Sequence, residues 1–153
     1  MHVSEIMTRE VSTVSPLTTL EQAARQMREY DVGALPVIES GRLVGIITDR
    51  DIVLRAVAEA IDGMFARVSD AMTPNVIVCR GDADLEDAVD VMSAKQVRRL
   101  PVVDKHEHLV GILALGDIAR HEESAAGFAL GEISEIPVVS VLEQTGADAA
   151  VAA

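Results

Sequence analysis

Aromatic side chains are almost missing: one tyrosine (Tyr30), two phenylalanines (Phe65 and Phe128) and no tryptophan occur among 153 residues. Nearly half of the residues are nevertheless apolar, at 49%, so the core has to be aliphatic, built from Val, Ile, Leu, Ala and Met. A single cysteine, Cys79, excludes an internal disulfide framework and fits a reducing compartment. It falls in an apolar, strand-like run and reads as a small core residue rather than a reactive thiol. Positive charge is also scarce, with 13 Lys and Arg against 25 Asp and Glu, a formal net charge of −12, and no Lys or Arg beyond Arg120. Nucleic-acid binding rests on phosphate neutralisation, which this balance opposes. A nucleotide site would need its own local cations. No stretch approaches the roughly 20 uninterrupted apolar residues that span a bilayer, and the first residues lack a basic-then-apolar signal pattern. The expectation is a cytoplasmic protein with neither membrane nor nucleic acid as partner.

What is present is organised around Gly45-Ile46-Ile47-Thr48-Asp49-Arg50-Asp51. Leu43 to Ile47 is an apolar strand with a glycine inside it, which suits a buried strand closely approached by something else. Thr48 can cap the helix that follows, with Asp51 at the spacing that returns a carboxylate to the cap. The same corner gathers free amides, a hydroxyl and a carboxylate. By itself it is a capped helix. It occurs again, however, as Gly111-Ile112-Leu113-Ala114-Leu115-Gly116-Asp117, followed by Ile118 where the first has Ile52. Val3-Ser4, Met7-Thr8, Leu20-Glu21, Ala23, Met27, Val32 and Leu35-Pro36-Val37 match Val68-Ser69, Met72-Thr73, Leu85-Glu86, Ala88, Met92, Val97 and Leu100-Pro101-Val102. One residue is inserted between the Pro-Val strand and the glycine strand of the second copy. The chain is a duplication.

In chain order, residues up to Thr8 read as a short leader and Val11 to Val14 as a strand ending at Ser15-Pro16. Thr18, with Glu21 at the capping-box distance, opens a helix whose Leu20, Ala23, Ala24 and Met27 form one apolar stripe. That helix ends near Tyr30-Asp31, and Gly33 supplies the freedom to turn. Leu35 to Glu39 and Leu43 to Ile47 form a hairpin through Ser40-Gly41. The helix from Asp49 turns Ile52, Val53, Ala56 and Val57 to the core and Arg50 and Arg55 outward. The second copy repeats the order as strand Val76 to Cys79, helix Asp84 to Lys95, strands Leu100 to Asp104 and Leu109 to Leu113, and a helix from Gly116 to about Glu123. Each copy is β-α-β-β-α with one sheet face uncovered, so two copies bury those faces together. The expected fold is α/β (α+β), two tandem repeats about a pseudo-two-fold axis, spanning 1–60 and 68–123 with a linker at 61–67. A C-terminal extension, 124–153, contains the apolar run Ile136 to Leu142, expected to dock or to form a dimer contact.

The order strand, helix, Leu-Pro-Val strand, Gly-Ile-Ile-Thr-Asp-Arg-Asp resembles the CBS domain (the cystathionine-β-synthase type), and two in tandem resemble a Bateman module, over about residues 3 to 122. Asp31-Val32-Gly33-Ala34-Leu35-Pro36 and Gln96-Val97-Arg98-Arg99-Leu100-Pro101-Val102 are similar to small stand-alone bacterial members. The resemblance implies binding rather than chemistry, with AMP, ADP or ATP, and sometimes S-adenosylmethionine or NAD, held between the two copies. It implies that Thr48 bonds ribose or phosphate and Asp51 accepts from ribose hydroxyls. Groups around Thr13-Val14 and Ala34-Leu35-Pro36 would hold adenine, and Arg98 and Arg99 would meet phosphates. In the second copy Ala114 replaces the threonine, and Gly33 and Ala34 stand where the arginines would be, while Asp117 survives. One competent site at Thr48 and Asp51 is expected, with a second at Asp117 degenerate or empty.

No Ser-His-Asp or Cys-His arrangement assembles, so no enzyme and no catalytic cofactor is expected. His106 and His108, in the inserted turn with Glu107 and Asp104 nearby, make too weak a ligand set for a metal. Two function classes remain. One is an adenosine-nucleotide sensor acting through dimer shape or through a protein partner; the other is a ligand-free interaction or stress-response protein whose motif residues only cap helices. Val53, Leu54 and Val57 leave apolar surface that a two-fold homodimer would bury.

Overall fold

The structure, a computed structural model, describes residues 1–122, 127, 130, 131 and 133. The run Ile136 to Leu142 lies outside the described residues.

Alternating apolar residues around the Ser40-Gly41 turn build the first hairpin. Strand β1 (Ala34–Glu39) pairs antiparallel with β2 (Arg42–Thr48). Ser40 at φ 51° and Gly41 at φ 78° supply two positive-φ residues, the requirement of a two-residue turn that follows strand twist. In the second repeat β5 (Arg99–Val103) and β6 (Leu109–Ala114) pair in the same way. The inserted residue sits in that turn, where Asp104 N–H donates to the His108 carbonyl at 2.9 Å and Glu107 takes φ 64°.

Each sheet is completed by the other repeat. Strand β3 (Thr73–Pro74), from the start of the second repeat, pairs antiparallel with β2 of the first. Thr8, from the start of the first repeat, pairs with Ile112 of the second. The leader is not a free arm: Val3–Ile6 is a helix, α1, and Val3 and Met7 lie in the second repeat's core. Its counterpart α4 (Val68–Ala71) places Val68 and Ala71 in the first repeat's core. The hydrogen bonds repeat at corresponding positions of the two copies, Val3 N–H to the Ala83 carbonyl at 3.0 Å and Val68 N–H to the Thr18 carbonyl at 2.7 Å. The two glycines foreseen as close-approach points mark this exchange. A Cβ on Gly45 would lie 2.9 Å from both Met72 Sδ and the Thr73 carbonyl oxygen, and one on Gly111 2.7 Å from Met7 Sδ.

Several expected elements move. The helix α2 (Leu20–Tyr30) is capped by Thr19 with Gln22, not by Thr18 with Glu21. The Thr18 hydroxyl is engaged in the preceding turn, where it accepts from Ser15 N–H at 3.1 Å. Asp31, at φ 52°, takes the left-handed position at the end of α2; Gly33 does not need its freedom there. What Gly33 provides is room, since its Cβ would lie 3.1 Å from Asp49 Oδ2. Val11 to Val14 form no strand beyond the bridge of Val14 to Val37. Val76 to Cys79 shrinks to β4 (Cys79–Arg80), parallel to β5, because Asn75 at φ 53° turns the chain out of β3 first. Helix α5 (Leu85–Lys95) stands as expected, and α6 runs Leu115–His121.

The helix after β2 is the largest departure. After one turn, α3 (Asp49–Ile52), the chain widens into a π turn at Val53–Val57. That extra residue rotates the apolar stripe: Ala56 is buried, whereas Val53 is 53% and Val57 66% exposed. Arg55 does not point free into solvent either. Its guanidinium donates to the Ala71 and Met72 carbonyls, each at 3.0 Å, and so binds the π turn to α4.

The core is aliphatic as composition requires. Tyr30 and Phe65 are both exposed, and the largest fully buried side chains are Leu20, Leu35, Ile47, Met92, Leu100 and Leu113. Cys79 is buried beside this core, and burial pushes its thiol up to about 11. No helix among the described residues is long and apolar enough to cross a membrane.

Candidate functional site

The Gly-Ile-Ile-Thr-Asp-Arg-Asp corner forms as its spacing implies. Thr48, in extended conformation at φ −115°, ends β2 and caps α3. Its hydroxyl accepts from Asp51 N–H at 3.0 Å, and Asp51 Oδ2 accepts from Thr48 N–H at 3.0 Å. The second carboxylate oxygen stands 3.9 Å from Arg55. At the related corner Ala114 has no hydroxyl, but Asp117 keeps the returning bond, with Oδ2 accepting from Ala114 N–H at 2.9 Å. Asp117 is only 7% exposed, the one buried charged side chain among the described residues, and Arg120 lies 3.3 Å from its other oxygen.

A cavity of about 230 Å³ opens at this second corner, where the repeats meet. Asp117, Ala114, Ile112 and Arg99 of the second repeat form one side. Thr8, Glu10, Val11 and Ser12, with Asp31 to Ala34, all of the first repeat, contribute the other; Thr13 is not part of it. Its walls therefore alternate apolar surface, at Val11, Val32, Ala34, Ile112 and Ala114, with convergent polar groups, the usual composition of a small-ligand site. Its volume lies just below the roughly 300–1,000 Å³ of typical ligand cavities.

Of the residues singled out from the sequence, the structure brings Ala34, Arg99 and Asp117 to this cavity. Thr48 and Asp51 stand at the other corner, the counterpart of this one in the duplication. Arg98 and Arg99 are both exposed, Arg98 lending its carbonyl to Leu115 N–H at 3.0 Å. Val14, Leu35 and Pro36 are core residues, so only their backbone can face a ligand. Thr13 uses its carbonyl to accept from Gln26 at 2.9 Å. Thr8, Glu10, Val11, Ser12, Asp31 and Val32 were not foreseen as site residues. Gly111 was a signal for Thr8 alone, because a glycine in a strand announces a close neighbour without naming it.

His106 and His108 face each other across the second hairpin turn with ring centroids 6.1 Å apart. Asp104 spans that turn, accepting from His106 N–H at 2.8 Å and His108 N–H at 3.0 Å, and these donors hold its carboxyl below the usual range. Among the described residues no group of three or more His, Cys, Asp and Glu could hold a metal ion.

Comparison with known proteins matches these features to a family. The CBS domain model matches residues 3–58 and again 68–124. The chain is 46% identical over 134 residues to the CBS domain-containing protein YhcV of Bacillus subtilis, covering 86% of this chain and 94% of that one. Hypoxic response protein I of Mycobacterium tuberculosis, solved with two coordinated zinc ions, superposes with a TM-score of 0.72 at 38% identity, over 79% of this chain and 98% of that one. CBSX2 of Arabidopsis thaliana, solved in complex with AMP, gives a TM-score of 0.69 at 33% identity, over 80% and 96%. The chain thus belongs to the CBS-domain family, as a tandem pair of these domains.

Proposed function

We propose that this protein is a cytoplasmic regulatory module, not an enzyme, that binds an adenosine-type nucleotide (AMP, ADP or ATP) between its repeats and signals through dimer shape or a protein partner. The observation that carries the reading is the geometry of the repeat junction: a cavity walled by both repeats at the Ala114–Asp117 corner, whose counterpart in the duplication is the Thr48–Asp51 corner with the same returning carboxylate bond. A ligand there touches both halves at once, which is how binding energy becomes a shift between two arrangements. CBSX2, of the same architecture, has been solved with AMP. The nucleotide is assigned to the Thr48–Asp51 corner. There the Thr48 hydroxyl and Asp51 carboxylate would meet ribose, the backbone of Thr13-Val14 and Ala34-Leu35-Pro36 would flank adenine, and Arg98 and Arg99 would meet phosphate. These two arginines are the local cations that a chain of net charge −12 must supply. The exposed Val53, Leu54 and Val57 are proposed to be the homodimer face.

Calorimetric titration with AMP, ADP and ATP, beside Asp51→Ala, tests the assignment. Loss of charge-assisted bonds worth about 1.5–3 kcal/mol predicts affinity at least about tenfold weaker in the variant. One observation favours a second reading, in which Thr48 and Asp51 already satisfy each other's amides. If they only cap, Asp51→Ala costs about 0.5–2 kcal/mol of stability and no nucleotide binds the parent protein.

A further inference from the structure

Each corner of the duplication sets an arginine against its carboxylate, but only one of the two arginines reaches the opposite repeat. At the second corner Arg120 is 76% exposed and, among the described residues, bonds Asp117 alone. It rides on α6, which carries no π turn. At the first corner the arginine is Arg55, in the middle of the π turn, and four acceptors surround one of its terminal nitrogens. Nη1 lies 3.0 Å from the Ala71 and Met72 carbonyl oxygens, 3.4 Å from Thr73 Oγ1 and 3.9 Å from Asp51 Oδ1. That nitrogen carries two hydrogens, and the two nearest carbonyls take them. Among the described residues Asp51 Oδ1 thus accepts no hydrogen bond and stands open beside a fixed positive charge, while Oδ2 accepts from Thr48 N–H. The two carbonyls close α4, at the end where a helix leaves them without an internal partner. They lead directly into β3, where Thr73 pairs with Ile46 of β2, and Met72 Sδ packs where a Cβ on Gly45 would lie 2.9 Å away. In the duplication Thr73 corresponds to Thr8, which lines the cavity at the other corner.

We infer that Arg55 is the positioning residue that couples the Thr48–Asp51 corner to the opposite repeat, so that a nucleotide held on Asp51 tightens the π turn against α4 and is felt at Val53, Leu54 and Val57. The inference rests on the assignment of the nucleotide to that corner, and adds the route by which its binding leaves the site. Ribose hydroxyls donating to Oδ1 engage a carboxylate already polarised by Arg55, and bonds within one such network strengthen each other. Fixing the carboxylate fixes the guanidinium beside it, and with it the Ala71 and Met72 carbonyls. The π turn is the element that responds. It closes through Ala58 N–H to the Val53 carbonyl at 2.8 Å, five residues back, a pattern rare in helices and frequent at functional sites. Val53, Leu54 and Val57 share that turn with Arg55 and are 53%, 48% and 66% exposed. A change in its tightness reaches them without any further contact. The second corner has no such route, because its arginine stops at Asp117.

The test uses the full chain with AMP, ADP and ATP as probes, read by calorimetry and by amide hydrogen exchange. In the parent protein a bound nucleotide is expected to slow exchange at Thr48 and Asp51, and also at Ala58 and Met72, whose amides close the π turn and α4. Neighbours in one network couple by factors of about two to a hundred. Arg55→Gln, which keeps a polar side chain without the charge, should therefore weaken the nucleotide about tenfold and abolish the slowing at Met72. In an Asp51→Asn background the same substitution should cost less than about twofold further, because Arg55 acts through Asp51. An arginine that only braced the fold would lower the unfolding midpoint of Arg55→Gln and leave affinity and exchange pattern unmoved, which overturns the inference. The exchange pattern of the parent needs no variant: a nucleotide that slows Thr48 and Asp51 but neither Ala58 nor Met72 also overturns it, and leaves the proposed function standing. Failure of the parent to bind any of the three nucleotides removes both.

Discussion

A methyl group added to Gly111 should destabilise the protein by about 2–4 kcal/mol, although it makes the chain more apolar and less flexible. The new Cβ would lie 2.7 Å from Met7 Sδ, 2.8 Å from the Thr8 carbonyl oxygen and 3.0 Å from Met7 Cγ. Favourable carbon contacts begin near 3.5 Å, so the neighbours must move by the better part of an ångström. Thr8 cannot yield cheaply, because it exchanges two backbone hydrogen bonds with Ile112, both at 2.9 Å. Lifting it away forfeits bonds worth about 0.5–1.5 kcal/mol each. Pushing Met7 aside instead disturbs a side chain that is 8% exposed in the second core, an overpacking cost of about 1–3 kcal/mol. Gly116 is the control: a Cβ there meets nothing within 4 Å, and it lies inside α6, so Gly116→Ala should gain about 0.5–1 kcal/mol. Urea unfolding of both variants, with the slope checked for two-state behaviour, decides the matter. A Gly111→Ala midpoint at or above that of the parent protein would show that the exchanged segment does not cross the strand as described.

Arg55→Ala should cost about 1–2 kcal/mol in the same assay, since it strips charged donors from the Ala71 and Met72 carbonyls at the end of α4; a loss below 0.5 kcal/mol would reduce that bridge to a surface contact. Asp104 is held below the usual carboxyl range chiefly by the His108 amide, and also by the His106 amide. A lowered folded-state value means that stability is present above the ordinary value of 3.8 and lost as pH falls through the folded one. Asp104→Asn should therefore flatten the acid limb of the stability profile below about pH 4, and an unchanged limb would refute the turn's role in it. Leu54→Glu, at a position 48% exposed, should leave the unfolding midpoint almost unmoved and convert the proposed dimer to monomer in sedimentation; a parent protein that sediments as a monomer would remove the dimer instead.

Periodicity and turn chemistry made much of the fold legible. Of the stripe Leu20, Ala23, Ala24 and Met27 all but the exposed Ala24 are buried, Ser40-Gly41 turns the first hairpin as its residue types require, and Thr48 and Asp51 cap each other. These are local matters, decided within a few residues of chain. The failures are local too where two side chains compete for one job: Thr18 and Thr19 both fit the cap, and the preceding turn engages Thr18. The π turn could not be seen, because widening a helix by one residue leaves the composition of Val53–Val57 unchanged while rotating which side chains face the core.

The site was harder to read than the fold, for a reason peculiar to duplicated chains. A repeat shows that two segments are alike; it does not say whether a segment packs on its own copy or on the other. Both arrangements bury the same residues: Val3 and Val68 are each fully buried, and either would be so in either core. What separates them is the site. With the leaders exchanged, Glu10 lines the same cavity as Asp117, 107 positions away along the chain, and that corner takes most of its wall from the opposite repeat. Substitutions in one copy, such as Glu10 against Asn75 or Asp31 against Gln96, then alter the corner whose motif belongs to the other copy. Ala114, in that corner's own motif, implied a site degenerate or empty. The charge that distinguishes that corner comes from the first repeat.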